Sequence, residues 1–251
     1  MVDTIIETSG LTKIYNQTIA VDNLTFKVKE GEIFGFLGPN GAGKTTTLLM
    51  LMGLSESSDG SARICGLDPL RNSIEIKKMV GYLPENVGFY DDMNAVQSLN
   101  FIAELNNLQD EINQKKIFEL LKLVGLDEHK GKKIDAFSRG MKQRLGIAEV
   151  LLKDPKVMFL DEPTLGLDPD GAIQLMDLIK SLNCERNITV LLSSHNLYQV
   201  QKISHRVGIM VKGKMIAQGS LKDLALEKYG FDDGEYTLEE IYMKYFQEVM
   251  A

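Results

Sequence analysis

The sequence has no tryptophan, two cysteines, six prolines and no long apolar run, and each shortage closes off a class of protein. Cys65 and Cys184 lie far apart without CxxC spacing, so they read as reduced, packed thiols rather than a disulfide framework. The longest unbroken apolar stretch covers residues 48–52, whereas a membrane-spanning helix needs roughly 18 or more such residues. The first ten residues hold acids and no apolar core, so no secretory signal is expected and the chain reads as cytosolic-side. Positive charge is also scarce. Lys and Arg total 28 against 35 Asp and Glu, a net charge of -7, which argues against nucleic acid as a partner. The clusters at Lys77–Lys78, Lys132–Lys133 and Lys212–Lys214 read as solvated faces or turns. Internal repeats, low-complexity tracts and proline-rich linkers are missing as well.

What is present is ordinary globular material: 44% hydrophobic and 25% charged residues over 251 positions, enough for one or two domains. Leu24, Phe26 and Val28 alternate with polar residues as in a strand, and Glu30-Gly31 signals a turn. An apolar strand over 32–37, a glycine-rich stretch over 38–43 and a helical run over 44–53 follow in that order. Residues 94–153 turn helical. Val96, Leu99, Phe101, Ile102 and Leu105 are spaced for one helix face, and Ile112, Ile117, Leu120, Leu121 and Val124 for another. Strands return at 157–160, 189–193 and 207–211 among helical stretches, the alternation of a largely parallel sheet. Near the end, Thr237-Leu238-Glu239-Glu240 reads as a capping box opening a helix. Its stripe of Leu238, Ile241, Tyr242, Tyr245, Phe246 and Val249 is expected to fold back onto its own domain, with docking of a partner or a dimer contact as the alternative. The predicted class is α/β: a mostly parallel sheet around a phosphate-loop core, an N-terminal antiparallel β part and an inserted helical subdomain. The expected division is 1–85 with 156–220 for the core, 86–155 for the helical part and 221–251 for a C-terminal helical extension.

Gly38-Pro39-Asn40-Gly41-Ala42-Gly43-Lys44-Thr45 fits G-x-x-x-x-G-K-[ST], between a strand and a helix where that motif has meaning. Glycines let successive backbone N–H groups turn toward a phosphate, and the helix start adds partial positive charge. Lys44 supplies a full charge toward the β- and γ-phosphates, and the Thr45 hydroxyl, followed by Thr46, can hold Mg2+. The apolar strand ending in Asp161-Glu162 supplies the other half of such a site. Asp161 is read as a magnesium partner and Glu162 as the base or polariser of an attacking water. A break at the strand end is needed to aim both, because side chains along a strand alternate. Ser138 is a good N-cap for the helix that follows it, and Gly140 admits close backbone approach, so a second helix start is able to bind an anion.

In this context Phe137-Ser138-Arg139-Gly140-Met141-Lys142-Gln143-Arg144 resembles the signature of the nucleotide-binding subunits of ATP-binding cassette (ABC) proteins, usually Leu-Ser-Gly-Gly-Gln. Ser138 and Gly140 match it; Phe137, Arg139 and Met141 depart. The resemblance runs in order over about 4–218. It implies that Tyr15 stacks on adenine, that Pro163-Thr164-Leu165-Gly166-Leu167-Asp168 is the loop touching an opposite subunit, and that His195 senses the γ-phosphate. Glu85 stands where the family has glutamine; it can offer an oxygen to magnesium but has no amide donor and adds negative charge. The resemblance further implies ATP and Mg2+ as ligands and closure of two copies, identical or related, over two ATP molecules. The driven partner is then a separately encoded integral-membrane permease, and the location is the cytoplasmic membrane face. The Leu-Pro-Glu85 and Ser-Arg-Gly-Met-Lys-Gln-Arg stretches look most like the exporter branch. A soluble assembly factor of the iron–sulfur type is the alternative, and a GTPase is disfavoured because no Asn-Lys-x-Asp stretch occurs.

Overall fold

Along four central strands the side chains alternate between two different hydrophobic cores, and that alternation fixes where every other element lies. In this computed structural model, which describes residues 3–108, 114–230 and 236–250, the chain begins with β1 (Thr4–Tyr15), β2 (Thr18–Lys29) and β3 (Ile33–Leu37), then α1 (Lys44–Leu51) and β4 (Asp59–Ile64). It continues through α2 (Ser73–Met79), β5 (Val80–Leu83), α3 (Ala95–Leu105), α4 (Gln114–Leu123) and α5 (Arg139–Leu151). β6 (Val157–Asp161), α6 (Pro169–Arg186), β7 (Thr189–Ser194), α7 (Leu197–Ile203), β8 (Arg206–Val211) and β9 (Lys214–Gly219) follow, and α8 (Leu221–Tyr229) and α9 (Leu238–Met250) close the described chain. Six strands form one sheet in the order β5-β6-β7-β3-β8-β9, and β2-β1-β4 form a second. The large sheet is parallel except for the β8–β9 hairpin, while the small one is antiparallel throughout.

Ile33, Leu37, Met158, Leu160, Val190 and Leu192 face a core shared with α3–α7 and with α8 and α9. Phe34, Phe36, Val157, Phe159 and Leu191 face the opposite core, built with α1 and the small sheet. Phe26 of β2 lies 5.6 Å from Phe34 and 5.4 Å from Phe36, ring centre to ring centre, so aromatic packing joins the two sheets. Truncating one such fully buried ring costs about 3–5 kcal/mol. Gly81 of β5 and Gly146 of α5 allow a close approach: an added Cβ would meet Val150 at 2.2 Å and Leu83 at 2.5 Å respectively. α5 is therefore pressed against the strand that leads to Glu85.

Several expectations need correcting. The buried face of α3 is Ala95, Ser98, Leu99 and Ala103, while Leu105 is exposed and Phe101 packs edge-on against Tyr90. Leu99, Val96 and Ile102 do pack on the shared core as expected, and Ala95, Ser98 and Ala103 fill the rest of that face. Ile112 and the side chain of Val249 lie outside what is described. Cys65 and Cys184 are free, but Cys184 is exposed on α6 rather than packed. The capping box forms, with the Thr237 amide donating to Glu240 at 2.8 Å, and Leu238, Ile241 and Tyr245 are buried in the shared core. Among the described residues no helix is long and apolar enough to cross a membrane.

Candidate functional site

β3 ends at Leu37 and α1 begins at Lys44, and the intervening loop winds around the lysine side chain. Lys44 is buried, and its Nζ donates to the carbonyls of Gly38 at 2.7 Å and Pro39 at 3.3 Å. Gly43 caps α1 at φ 101°; an added Cβ would meet the Ala20 carbonyl oxygen at 2.5 Å, so a side chain there is both strained and obstructed. No side chain caps α1, which leaves its first amides for an outside acceptor. Tyr15, Ala20, Asn40, Gly41, Ala42, Gly43, Lys44, Thr45, Thr46, Glu85 and Glu162 line one cleft of about 410 Å³.

Asp161 shares the sheet face of Val157 and Phe159, the face toward α1. It is buried, accepts from the Thr45 hydroxyl at 2.7 Å and also accepts from the Ser193 hydroxyl. Glu162 would point the other way in a continued strand. Instead its φ is 47°, a left-handed turn that costs about 1–2 kcal/mol for a residue with a Cβ. That turn brings Glu162 Oε1 to 3.4 Å from Lys44 Nζ and Oε2 to 2.8 Å from His195 Nδ1. His195 stays half exposed. Burial pushes the Tyr82 phenol up to about 12, and the neighbouring Asp161 carboxylate, which accepts its hydrogen bond, adds to the rise.

These residues suit a hard cation. Asp161 is a buried carboxylate, the Thr45 hydroxyl beside it faces the cleft, and Glu85 lines the same wall. Among the described residues no cluster of three or more His, Cys, Asp or Glu groups makes an all-protein metal cage. A few oxygen donors completed by phosphate and water match how Mg2+ is usually held.

Ser138 and Gly140 are elsewhere. Ser138 caps α5, accepting from the Met141 amide at 3.3 Å, and both residues line a second cleft of about 440 Å³ with Arg139, Gly166, Leu167 and Asp168. One chain thus holds two anion-competent helix starts in two separate clefts. Sequence reasoning missed Ala20, Tyr82 and Ser193. Only Ser193 left a signal, as one of two serines ending a strand whose middle is apolar.

The ABC transporter family model matches residues 21–165. The bacitracin transport ATP-binding protein BcrA of Bacillus licheniformis is 44% identical over 86% of this chain and 69% of its own length. The linearmycin resistance ATP-binding protein LnrL of Bacillus subtilis is 35% identical over 87% of this chain and 70% of its own. Among solved structures, cbiO1 of Clostridium perfringens, part of the cbiONQ transporter complex, superposes with a TM-score of 0.81 at 30% identity, covering 90% of this chain and 92% of that one. A gapless phosphate loop, two acids turned toward it at the end of β6 and these likenesses converge: the chain belongs to the ABC transporter family, as an ATP-binding subunit that hydrolyses ATP.

Proposed function

We propose that two copies of this chain, or this chain and a related ATPase, close head to tail over two ATP molecules and so drive a separately encoded membrane permease in the export direction. One observation carries the reading: the Lys44 loop and the Ser138 helix start open into different clefts of the same chain. Each is half of an enclosure for a highly charged ligand, and a second copy supplies the missing half. Tyr15, exposed at the cleft rim with its hydroxyl 3.3 Å from Ser55 Oγ, is the platform for adenine. The backbone from Gly38 to Thr46 cradles the phosphates, and Lys44 turns from the Gly38 and Pro39 carbonyls to them. Thr45, Asp161 and Glu85 would hold Mg2+, which would supply positive charge against the phosphates. Glu162 takes the proton of the attacking water, and His195 holds the Glu162 carboxylate in place while facing the γ-phosphate. Loss of γ-phosphate contacts after hydrolysis then favours the open state, since a ligand shifts an equilibrium only by its differential affinity.

Segment 86–93 is the route to the permease. It is tied to the helical part through the Ile134 amide on Met93 O at 2.9 Å and the Lys142–Asp91 pair at 3.4 Å, while Gln143 Nε2 reaches the Glu85 carbonyl at 3.4 Å. These ties support residues 86–155 moving as one unit against the core of 1–85 and 156–220, with 221–251 as an extension of that core. The relatives named for bacitracin transport and linearmycin resistance favour export as the direction. The subunit is then peripheral, at the cytoplasmic membrane face.

Size-exclusion chromatography with saturating MgATP tests the central step: Glu162→Gln is expected to elute as a dimer and Lys44→Ala as a nucleotide-free monomer. A Glu162→Gln protein that binds ATP yet stays monomeric refutes the closure. Purification from detergent-solubilised membranes tests the partner: a hydrophobic companion is expected, and recovery in soluble fractions alone refutes the permease assignment.

A further inference from the structure

β7 reads Thr-Val-Leu-Leu-Ser-Ser and is buried along its whole length, so its terminal serines must find partners inside the protein. Ser193 is fully buried and lies opposite Asp161 in the parallel register of β6 and β7. Its hydroxyl does two things at once. It donates to Asp161 Oδ1, leaving Oδ2 to accept from the Thr45 hydroxyl. It also accepts from the Glu162 amide at 3.1 Å, an amide that the Ser193 carbonyl accepts from at the same distance. That amide belongs to the residue with φ 47°, a conformation that non-glycine residues keep only where the surroundings over-determine it. An aliphatic residue of similar size would satisfy the packing of this strand end. It would also remove one of the donors to buried Asp161, beside the Thr45 hydroxyl and the Tyr82 phenol, and leave the Glu162 amide with a single acceptor.

We propose that Ser193 is a positioning residue for hydrolysis: one hydroxyl fixes both the carboxylate plane of Asp161 and the turn that aims Glu162. The inference rests on the roles given above to Asp161 and Glu162. Ser193 is fully buried and does not line the Lys44 cleft; it acts through those two neighbours, which sit on opposite sides of the strand break and must be set together. The companion Ser194 does a separate job, its Oγ accepting from the Asn196 amide at 3.0 Å and shaping the turn that carries His195.

The test compares full-length Ser193→Ala and Ser193→Cys with the natural protein. Cysteine nearly keeps the volume but is a weak donor. Three readouts apply: steady-state ATPase against ATP and against Mg2+, thermal melting, and Mn2+ binding by electron paramagnetic resonance with a non-hydrolysable ATP analogue. For Ser193→Ala, kcat is expected to fall about tenfold, the size of effect of one hydrogen bond to a charged group, with KM for ATP within about twofold. The metal concentration at half-saturation is expected to rise about threefold in both the kinetic and the resonance titrations. Ser193→Cys is expected to fall between, and it carries the test if the alanine variant does not fold. Folded variants with unchanged kcat and unchanged metal half-saturation overturn the proposal. So does a lowered kcat that tracks only the unfolded fraction while metal binding stays fixed. Failure of the underlying reading looks different: Glu162→Gln would then turn over ATP undiminished, whatever Ser193 variants do.

Discussion

Two helix starts in this chain open into clefts but are built by different means. α1 begins at a left-handed glycine with no side-chain cap, its lysine buried and its threonine bonded to an acid from another strand. α5 begins at a serine that caps it in the ordinary way and faces a cleft of its own, with Arg139 and Arg144 on its wall. The first is assembled from distant pieces of sequence and is complete in acids and cation. The second is capped locally by Ser138, and its cleft draws the rest of its lining from residues between Gly125 and Gln174. A helix start attracts an anion in either case; on the function proposed above, what makes one a catalytic site and the other a docking half-site is the set of side chains that tertiary structure places around it.

The sharpest way to break this contrast is at the acid turned by the strand break. Glu162→Gln is expected to lower turnover by about 100-fold or more while ATP still binds, read by single-turnover hydrolysis and nucleotide retention. An unchanged rate would move the base elsewhere. A smaller effect is expected at the adenine platform, where Tyr15→Ala raises KM for ATP about tenfold with kcat nearly unchanged, in keeping with stacking worth roughly 1–3 kcal/mol. If the α5 start is only a half-site, Ser138→Ala leaves nucleotide affinity of the single chain intact. It lowers helix stability by about 1 kcal/mol and weakens ATP-driven dimerisation, measurable by sedimentation. Loss of ATP binding by the monomer would instead place both helix starts in one site.

The last effect touches stability alone and lies on α5 itself, away from both clefts. Burial pushes the Glu149 carboxyl up to about 7, and the hydrogen bond from Ser98 only partly offsets it. The folded state therefore holds a proton that the unfolded chain has released between about pH 4.5 and 7, so stability falls as pH rises through that window. Glu149→Gln keeps an acceptor for Ser98 and is expected to remove this slope. Its melting temperature at pH 8 should rise by several degrees, about 2 kcal/mol, with little change at pH 4. A melting curve whose pH dependence is the same in both proteins would show that Glu149 is better solvated than its surroundings indicate.

Much of this architecture was legible in the residues. The phosphate loop is contiguous, the capping box of α9 spans four positions, and the apolar strands β3, β6 and β7 stand out because both their faces are buried. β4 was not legible: most of its residues are exposed, so no hydrophobic pattern marks it, and only its pairing with β1 makes it a strand. The face of α3 was legible only in part for a related reason. Large apolar residues set the spacing in sequence, but Ala95, Ser98 and Ala103 are buried as well and Leu105 is left in solvent.

Local order in the chain was enough to name the chemistry, because loop conformation and helix caps depend on a few consecutive residues whose backbone preferences are intrinsic. The aim of the acids, the serine that joins them and the separation of the two anion sites were decided in three dimensions. Each depends on strand register and on a backbone turn at Glu162 that no residue preference favours and only its packed, hydrogen-bonded surroundings can hold.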